Sequence, residues 1–489
     1  MSLSQRNAYF SLYNIVVFLC ISFIMPICLG YKNVGNYILT LAILLLANTS
    51  KYPKIIILAI LLLLSLYIPT GFQFGRLNYG FIISGLETDS HETVEFLRGL
   101  IGIPLVLMVV CWISLYRYST IPLFELSKKN KYICLLLLVA LSANSYPKRM
   151  IKDAIEYICQ SKKDLAKLEK EAFIPDSFSG VTSNSKYNNI IVVIGESVSA
   201  NYLSLYGYPH DNTPWLRKAP GIFMNNYISA APNTFLSLPR TLAMSDGIKT
   251  TVNNNVVALA NKAGYETYWI SNQGFVGEYD TPSTVIAMRA KHRFFLKKGD
   301  FNSKLVDDFS MLDLLPSILK KPEKKVIFIH MIGSHPDPCK RLMGYPQRFT
   351  FSEKAPINCY VSSINKLDDF LHRTYSLAEE NKESFLMMYF SDHGMTTDTS
   401  DRPVRHGNSE KQNYHVPFIV LSNDIKGRTE INTPISALQF INIFENYTGI
   451  TSTQISPINP SHVSEKQIKV FDGGRMVDYQ GLLNPSPLY

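Results

Sequence analysis

Five stretches in the first third of the chain contain no Asp, Glu, Lys or Arg: residues 7–31, 33–50, 55–75, 99–116 and 132–147. A helix of about 17 or more apolar residues spans the hydrocarbon core of a bilayer, where backbone amides find no partner outside the helix itself. Residues 1–150 are therefore expected to form a helical membrane domain with five spans, at about 9–30, 34–50, 55–74, 99–117 and 131–147, and an external loop at 73–98. The first run is long, lacks a small-residue cleavage site and leads into further spans, so it is not read as a signal peptide.

Arg6, Lys51, Lys54, Arg117, Lys128, Lys129 and Lys131 fall in segments that must share one side. The positive-inside bias makes that side cytoplasmic. Five crossings then carry everything after Pro147 outward, which in a bacterium with two membranes means an inner-membrane protein with its larger part in the periplasm. Cys20, Cys28, Cys111 and Cys134 lie inside apolar runs as small buried residues. Cys339 and Cys359 lie in polar sequence on the oxidising side and are read as a disulfide, with two unrelated thiols as the alternative. Cys159 is left over. The formal net charge is +9, but Lys and Arg are scattered and no reading motif accompanies them, so nucleic acid is not an expected partner.

After the last run, Ile151, Ile155, Ile158, Leu165 and Leu168 recur at mostly helical spacing among Lys and Glu, predicting an amphipathic helix along the membrane surface. With the polar run from Pro175 to Asn188 it makes 151–188 a bridge and linker. The acidic segment GLETDSHETVEFL in the external loop reads either as a cover over the membrane mouth of a site or as a solvated connecting helix.

From residue 189 to 489 the pattern changes to short apolar runs that end in Gly, Ser or Asp: IIVVIGES at 190, YETYWISNQ at 265, KVIFIHMIGSH at 325, FLMMYFSDHG at 385 and VPFIVLSN at 416. Continuous apolar runs suit strands buried on both faces, and their spacing suits helical crossovers. A doubly wound, largely parallel α/β sheet is predicted. Ligands of such sheets collect at the C-terminal strand ends, which here carry Glu196, Asn272, His335, Asp392 and His393. Two carboxylates and an imidazole form a mixed oxygen and nitrogen donor set that suits zinc, and manganese less well. An Asp-His pair after a strand is by itself more often a turn with a helix cap.

The stretch GESVSANYLSLYGYPHDNTPWL from Gly195 resembles the opening signature of the bacterial phosphoethanolamine transferases, in the alkaline phosphatase and sulfatase superfamily. The later segments APNTFLSLPRTLAM, YWISNQ, HMIGSHPDPCKR, SDHG and RHGNSEKQNYHVPFIVLS follow that family's order, and five N-terminal spans are also its architecture. The resemblance covers residues from about 190 to 425. It implies a periplasmic domain of alkaline phosphatase type in which Glu196, Asp392 and His393 hold zinc and Thr234, five residues before Pro239, is both nucleophile and metal ligand. It further implies that His335 and His406 contact the phosphoryl or phosphoethanolamine group, as catalytic and substrate-binding residues. A threonine hydroxyl is a poor nucleophile at neutral pH unless a metal lowers its pKa, so the roles are chemically coherent. Asn272, Gln273 and His415 are candidates for supporting positions, the first two also for substrate contact, while His330 inside its strand is read as structural.

The implied reaction takes phosphoethanolamine from phosphatidylethanolamine through a covalent threonine to a cell-envelope acceptor. That acceptor could be lipid A, the lipopolysaccharide core or a periplasmic glucan. The cysteine pair that brackets the nucleophile in lipid A enzymes is absent, and Ser197 stands where many of them have threonine, which favours core sugars or glucans. A phosphoglycerol transferase of the same superfamily is the nearest rival. A hydrolytic sulfatase is disfavoured because no C-x-P-x-R motif is present, and a silent scaffold because ligands and nucleophile are all in place. Membrane lipids are the expected surroundings, and the chain is expected to act as a monomer.

Overall fold

The computed structural model describes residues 12–77, 79, 82, 102–141, 146–172, 174–273, 281–296, 306–398, 403–462 and 467–488. The uncharged runs become helices: α1 Leu12–Cys28, α2 Val34–Ala47, α3 Lys51–Ser65, α4 Ile68–Phe74, α5 Ile103–Thr120 and α6 Lys128–Leu141. The expected third span is broken at residues 66–67, just before Pro69, because proline lacks the amide that a continuous helix needs at that point. Among the described residues, α5 at 18 residues is the one helix that is by itself long and apolar enough to cross a bilayer. The last turns of the fifth expected span, at 142–145, and nearly all of the acidic segment lie outside the described residues. At one end of this bundle Asn48 donates to Pro122 O at 2.9 Å and the Tyr118 hydroxyl to Leu44 O at 2.7 Å, tying α5 to the α2–α3 turn. The amphipathic segment forms α7, Lys148–Ala172, and the chain divides into two compact units within that helix, between Ser161 and Lys162.

In the second unit, apolar runs form a nine-stranded sheet. Its strands are β1 Asn189–Gly195, β2 Gly221–Ile228, β3 Glu266–Ser271, β4 His292–Phe295, β5 Lys325–His330, β6 Phe385–Ser391, β7 His415–Ser422, β8 Arg428–Ile431 and the short β9 Ile435–Ser436. The order is β8-β2-β7-β6-β1-β5-β3-β4, with β9 beside β2. All neighbours pair in parallel except β7, which runs antiparallel to both β6 and β2. The expectation of a largely parallel sheet is met, while VPFIVLSN at 416 turns out to be the reversed strand. Its composition is that of a strand covered on both faces, and such a run carries no sign of direction.

Alternate residues of the central strands serve two cores. Ile190, Val192 and Ile194 pack with Phe328, Met388 and Phe418 on one face, and Ile191 and Val193 with Ile327, Tyr389 and Ile419 on the other. Each such side chain taken fully out of water contributes roughly 1.5–3 kcal/mol. The strand ends are thereby held in register, with Ile194 opposite Phe390 and His330, and Gly195 opposite Ser391.

Cys339 and Cys359 are joined by a disulfide, with Cα atoms 4.8 Å apart, which settles the pairing in favour of a bond. It ties the segment after His335 to the first turn of α9, Ala355–Glu380. Peptide mapping without reductant should recover the two cysteines as one cross-linked species. Replacing both with serine should cost about 3 kcal/mol, the loop-entropy value for a separation of 20 residues, read as a lowered thermal midpoint.

Candidate active site at the carboxyl edge of the sheet

Glu196 follows β1 and Asp392 and His393 follow β6, so the pairing of these two strands alone brings all three together. Their donor atoms lie within 4.8 Å of one another, and all three side chains are fully buried. The His393 Nε2 atom stands 3.1 Å from Glu196 Oε1 and 3.6 Å from Asp392 Oδ2. His393 Nδ1 donates to Gly394 O at 2.9 Å, which turns Nε2 and its lone pair toward the carboxylates. Asp392 Oδ1 accepts from the backbone amides of His393 at 2.7 Å and Ser197 at 3.2 Å, while Oδ2 is buried without a hydrogen-bond partner among the described residues.

Electrostatics of the bare cluster follow from two carboxylates sharing a dry site. Burial, with the Glu196 charge opposite, pushes the Asp392 carboxyl well above the usual range. Burial would do the same to Glu196, but the His393 ring beside it holds that carboxyl well below. Against its own burial, His393 is held up at about 9 by the Asp392 and Glu196 carboxylates. An acceptor oxygen with no donor, a second carboxylate and an inward-facing imidazole nitrogen are the donor set that a divalent cation satisfies, and its charge relieves the carboxylate repulsion. The residues fit a metal.

Thr234 reaches this cluster from a different element. Strand β2 ends at Ile228, and a tight segment leads to α8, Thr234–Leu242, whose N-cap Asn233 accepts from Leu236 N through its side chain. Thr234 is thus the first helical residue, half-buried, and its hydroxyl donates to Glu196 Oε2 at 2.7 Å and lies 3.4 Å from His393 Nε2. The Ser237 hydroxyl donates to Asp392 O at 2.6 Å, and the Ser229 hydroxyl donates to the same carbonyl. These two serines lock the start of α8 against the Asp392 loop. Neither stood out in sequence, because a serine that clamps a distant backbone carbonyl looks like any serine of a polar turn.

The remaining predicted residues divide between rim and support. His335 and His406 are half-exposed, with ring centroids 5.9 Å apart, and the His406 ring is 4.9 Å from that of His393. Gln273 donates to Met331 O at 2.7 Å and to Glu196 Oε2 at 3.3 Å, so it touches the carboxylate that Thr234 touches. Asn272 is buried, and its amide donates to Val306 O and Asp308 Oδ1, each at 2.8 Å. Asp308 in turn accepts from the Ile332 and Gly333 amides at 3.0 and 2.9 Å. Asn272 thus holds the loop leading to His335 through Nδ2, while its Oδ1 has no hydrogen-bond partner among the described residues. At Gly333 the backbone has φ +50°, and a Cβ would sit 2.8 Å from Glu196 O, so only glycine lets this loop pass so close behind the site. His415 uses both ring nitrogens, on Asn201 Oδ1 at 2.6 Å and Asn225 O at 2.8 Å, which pins β7 to β2. His330 is buried against Trp269 and burial pushes its pKa down to about 4, in keeping with a structural role. Ser197, noted in sequence only as a departure from lipid A enzymes, donates to Glu196 Oε1 at 2.6 Å.

The profile of the Sulfatase family matches residues 188–450. The chain is similar to phosphoethanolamine transferase OpgE of Escherichia coli K12, at 30% identity over 501 residues, covering 95% of this chain and 93% of that one. Among solved structures it is similar to the integral membrane protein lipooligosaccharide phosphoethanolamine transferase A (EptA) of Neisseria meningitidis. That match has a TM-score of 0.62 at 16% identity and covers 93% of this chain and 97% of that one. The C-terminal periplasmic domain of EcEptC from Escherichia coli, in a complex with Zn, matches with a TM-score of 0.55 at 19% identity, covering 63% of this chain and 98% of that domain. At these identities the two structures speak for the fold.

Purified without chelator, the chain should carry about one metal ion by elemental analysis. Asp392→Ala and Glu196→Ala should each lower that occupancy, and unchanged stoichiometry in both variants would dissolve the site assignment.

Proposed function

From a chain that belongs to the sulfatase family, as one of its phosphoethanolamine transferases, we infer an enzyme that moves phosphoethanolamine from phosphatidylethanolamine to a cell-envelope acceptor through Thr234. The observation that carries this reading is the Thr234 hydroxyl, half-exposed at a helix N-terminus and donating at 2.7 Å to a fully buried carboxylate. A zinc ion held by Glu196, Asp392 and His393, with Thr234 beside it, would supply the positive charge that lowers the hydroxyl pKa and neutralises phosphoryl oxygens. Zinc is supported by the mixed donor set and by the Zn complex of the EptC domain.

The chain's own groups account for the remaining requirements. Glu196 orients the hydroxyl and accepts its hydrogen bond, so the lone pair of Thr234 Oγ1 faces away from the carboxylate, toward an incoming phosphorus. The N-terminal amides of α8 present partial positive charge where phosphoryl oxygens gather. In the first step the Thr234 proton passes along its hydrogen bond to Glu196 Oε2, the bond from Thr234 Oγ1 to phosphorus forms and the bond from phosphorus to the diacylglycerol oxygen breaks. His335 or His406, on the open side, gives that leaving oxygen its proton. In the second step an acceptor hydroxyl or phosphate attacks the same phosphorus, a histidine takes the proton where the acceptor carries one, and the threonine oxygen leaves and takes its proton back from Glu196. Gln273, through Glu196 and Met331 O, keeps the orienting carboxylate in place.

A lipid donor explains the attachment to a membrane. The five uncharged runs and the basic residues between them support a five-span anchor in the bacterial inner membrane with the catalytic unit in the periplasm, and the names of EptA, an integral membrane protein, and of the periplasmic EptC domain agree with a membrane anchor and a periplasmic unit. Ser197, where many lipid A enzymes have threonine, favours core sugars, glucans or another envelope acceptor over lipid A.

Incubated with phosphatidylethanolamine and no acceptor, the enzyme should gain the mass of one phosphoethanolamine, located on Thr234 by peptide fragmentation. Thr234→Ala should lose both the adduct and diacylglycerol release while keeping its thermal midpoint, since one hydroxyl is worth only about 1 kcal/mol of stability. Transfer at the wild-type rate by this variant, or an adduct on Ser197 or Ser237, would place the nucleophile elsewhere.

A further inference from the structure

The first unit holds a cavity of about 870 Å³ that the proposed chemistry at Thr234 does not use. Its walls are apolar, with Leu39 and Ile43 from α2, Ile57 and Leu61 from α3 and Leu138 from α6. Tyr146 closes one end, its backbone amide donating to Asn36 Oδ1 at 3.2 Å near the start of α2. The volume falls within the roughly 300–1,000 Å³ of ligand pockets, and Thr40, a polar side chain among these walls, donates its hydroxyl to Asn36 O at 2.7 Å.

The rim is not apolar. Lys148, Lys152 and Glu156 of α7 line it and are exposed. At intervals of four residues they stand one above another on one helix face, with about 5–6 Å between successive Cβ atoms. Arg149 and Asp153, one position further round, face each other at 3.7 Å and so form their own pair. The groove thus ends in two adjacent positive charges followed by one negative charge. A ligand that matches it has an apolar tail, an anionic group and, a short arm away, a cation.

We propose that this groove is a binding site for one phospholipid with a zwitterionic phosphoethanolamine headgroup, its acyl chain between α2, α3 and α6, its phosphate on Lys148 and Lys152 and its ammonium on Glu156. The two-carbon arm of the headgroup is of the order of one helical turn, which carries the ammonium from the lysines to the glutamate. The turn between α2 and α3 lies at the opposite end of the groove from Tyr146, beside Lys51 and Lys54. In the orientation inferred from the basic residues, the headgroup end then opens on the outer leaflet. The inference rests on the proposed function only for the orientation and for the meaning of the site as a store of donor lipid. Binding itself is independent of turnover.

Native mass spectrometry of the full-length, delipidated chain, titrated with phosphatidylethanolamine or phosphatidylglycerol, tests it. One phosphatidylethanolamine should bind ahead of the non-specific series. A lysine at a lipid surface is worth about fivefold in affinity, so Lys148→Gln with Lys152→Gln should weaken it by about 30-fold. Glu156→Gln should erase the preference for phosphatidylethanolamine over phosphatidylglycerol, and Leu61→Trp should block both lipids, with thermal midpoints confirming that each variant is folded. Equal binding by wild type and all variants, or no preference between headgroups in wild type, would overturn the proposal. Thr234→Ala separates the two readings: it should bind the lipid as wild type does, whatever becomes of transfer.

Discussion

Two carboxylates and an imidazole are held in a place without water, and the arrangement of the second unit depends on doing so. Glu196 and Asp392 repel each other there, and only strong local restraint keeps both oxygens pointing at one spot. The restraint is supplied in layers. Parallel pairing of β1 and β6 sets the two carboxylates side by side, backbone amides of Ser197 and His393 fix one Asp392 oxygen, and the Gly394 carbonyl fixes the imidazole. What is left without a hydrogen-bond partner among the described residues, Asp392 Oδ2, lies 3.6 Å from His393 Nε2, where a cation would sit.

The same restraint decides where Thr234 can be. Thr234 is not on a strand end but on the first turn of α8, and the hydroxyls of Ser229 and Ser237 fasten that turn to the Asp392 carbonyl. Moving α8 would break those bonds and the one from Thr234 to Glu196 together. Buried hydrogen bonds of this kind are costly to leave unmade, so the Thr234 hydroxyl is held in one place. Buried floor and half-exposed rim then divide the labour: Glu196, Asp392 and His393 are shielded from solvent, while Thr234, Gln273, His335 and His406 are accessible. The disulfide, four residues beyond His335, ties the rim loop to α9 and works to the same end.

Much of this was legible in the residues. Strand runs such as IIVVIG and FLMMYF end directly in Glu196 and Asp392, so the carboxyl edge of the sheet could be located before any coordinates. The run of charges and apolar residues after Pro147 announced α7, and the polar setting of Cys339 and Cys359 announced their bond. Less legible were roles that depend on which side chain meets which distant backbone atom. Asn272 occupies a strand end as expected, yet its amide is consumed by Val306 and Asp308. Asp308 itself sat in an unremarked polar stretch, although it holds the loop before His335.

Composition and order along the chain determined the apolar helices, the strands and the residue types that crowd one edge of the sheet, because burial of continuous apolar runs is a local property that pattern records. Tertiary structure alone decided that β7 runs against its neighbours, that the Thr234 hydroxyl from α8 reaches Glu196 Oε2, and that the groove between α2, α3 and α6 ends in Lys148, Lys152 and Glu156. Each of these rests on pairs far apart in sequence, whose meeting is fixed by the packing of whole elements. A single strand or helix carries no record of its partner's direction or distance.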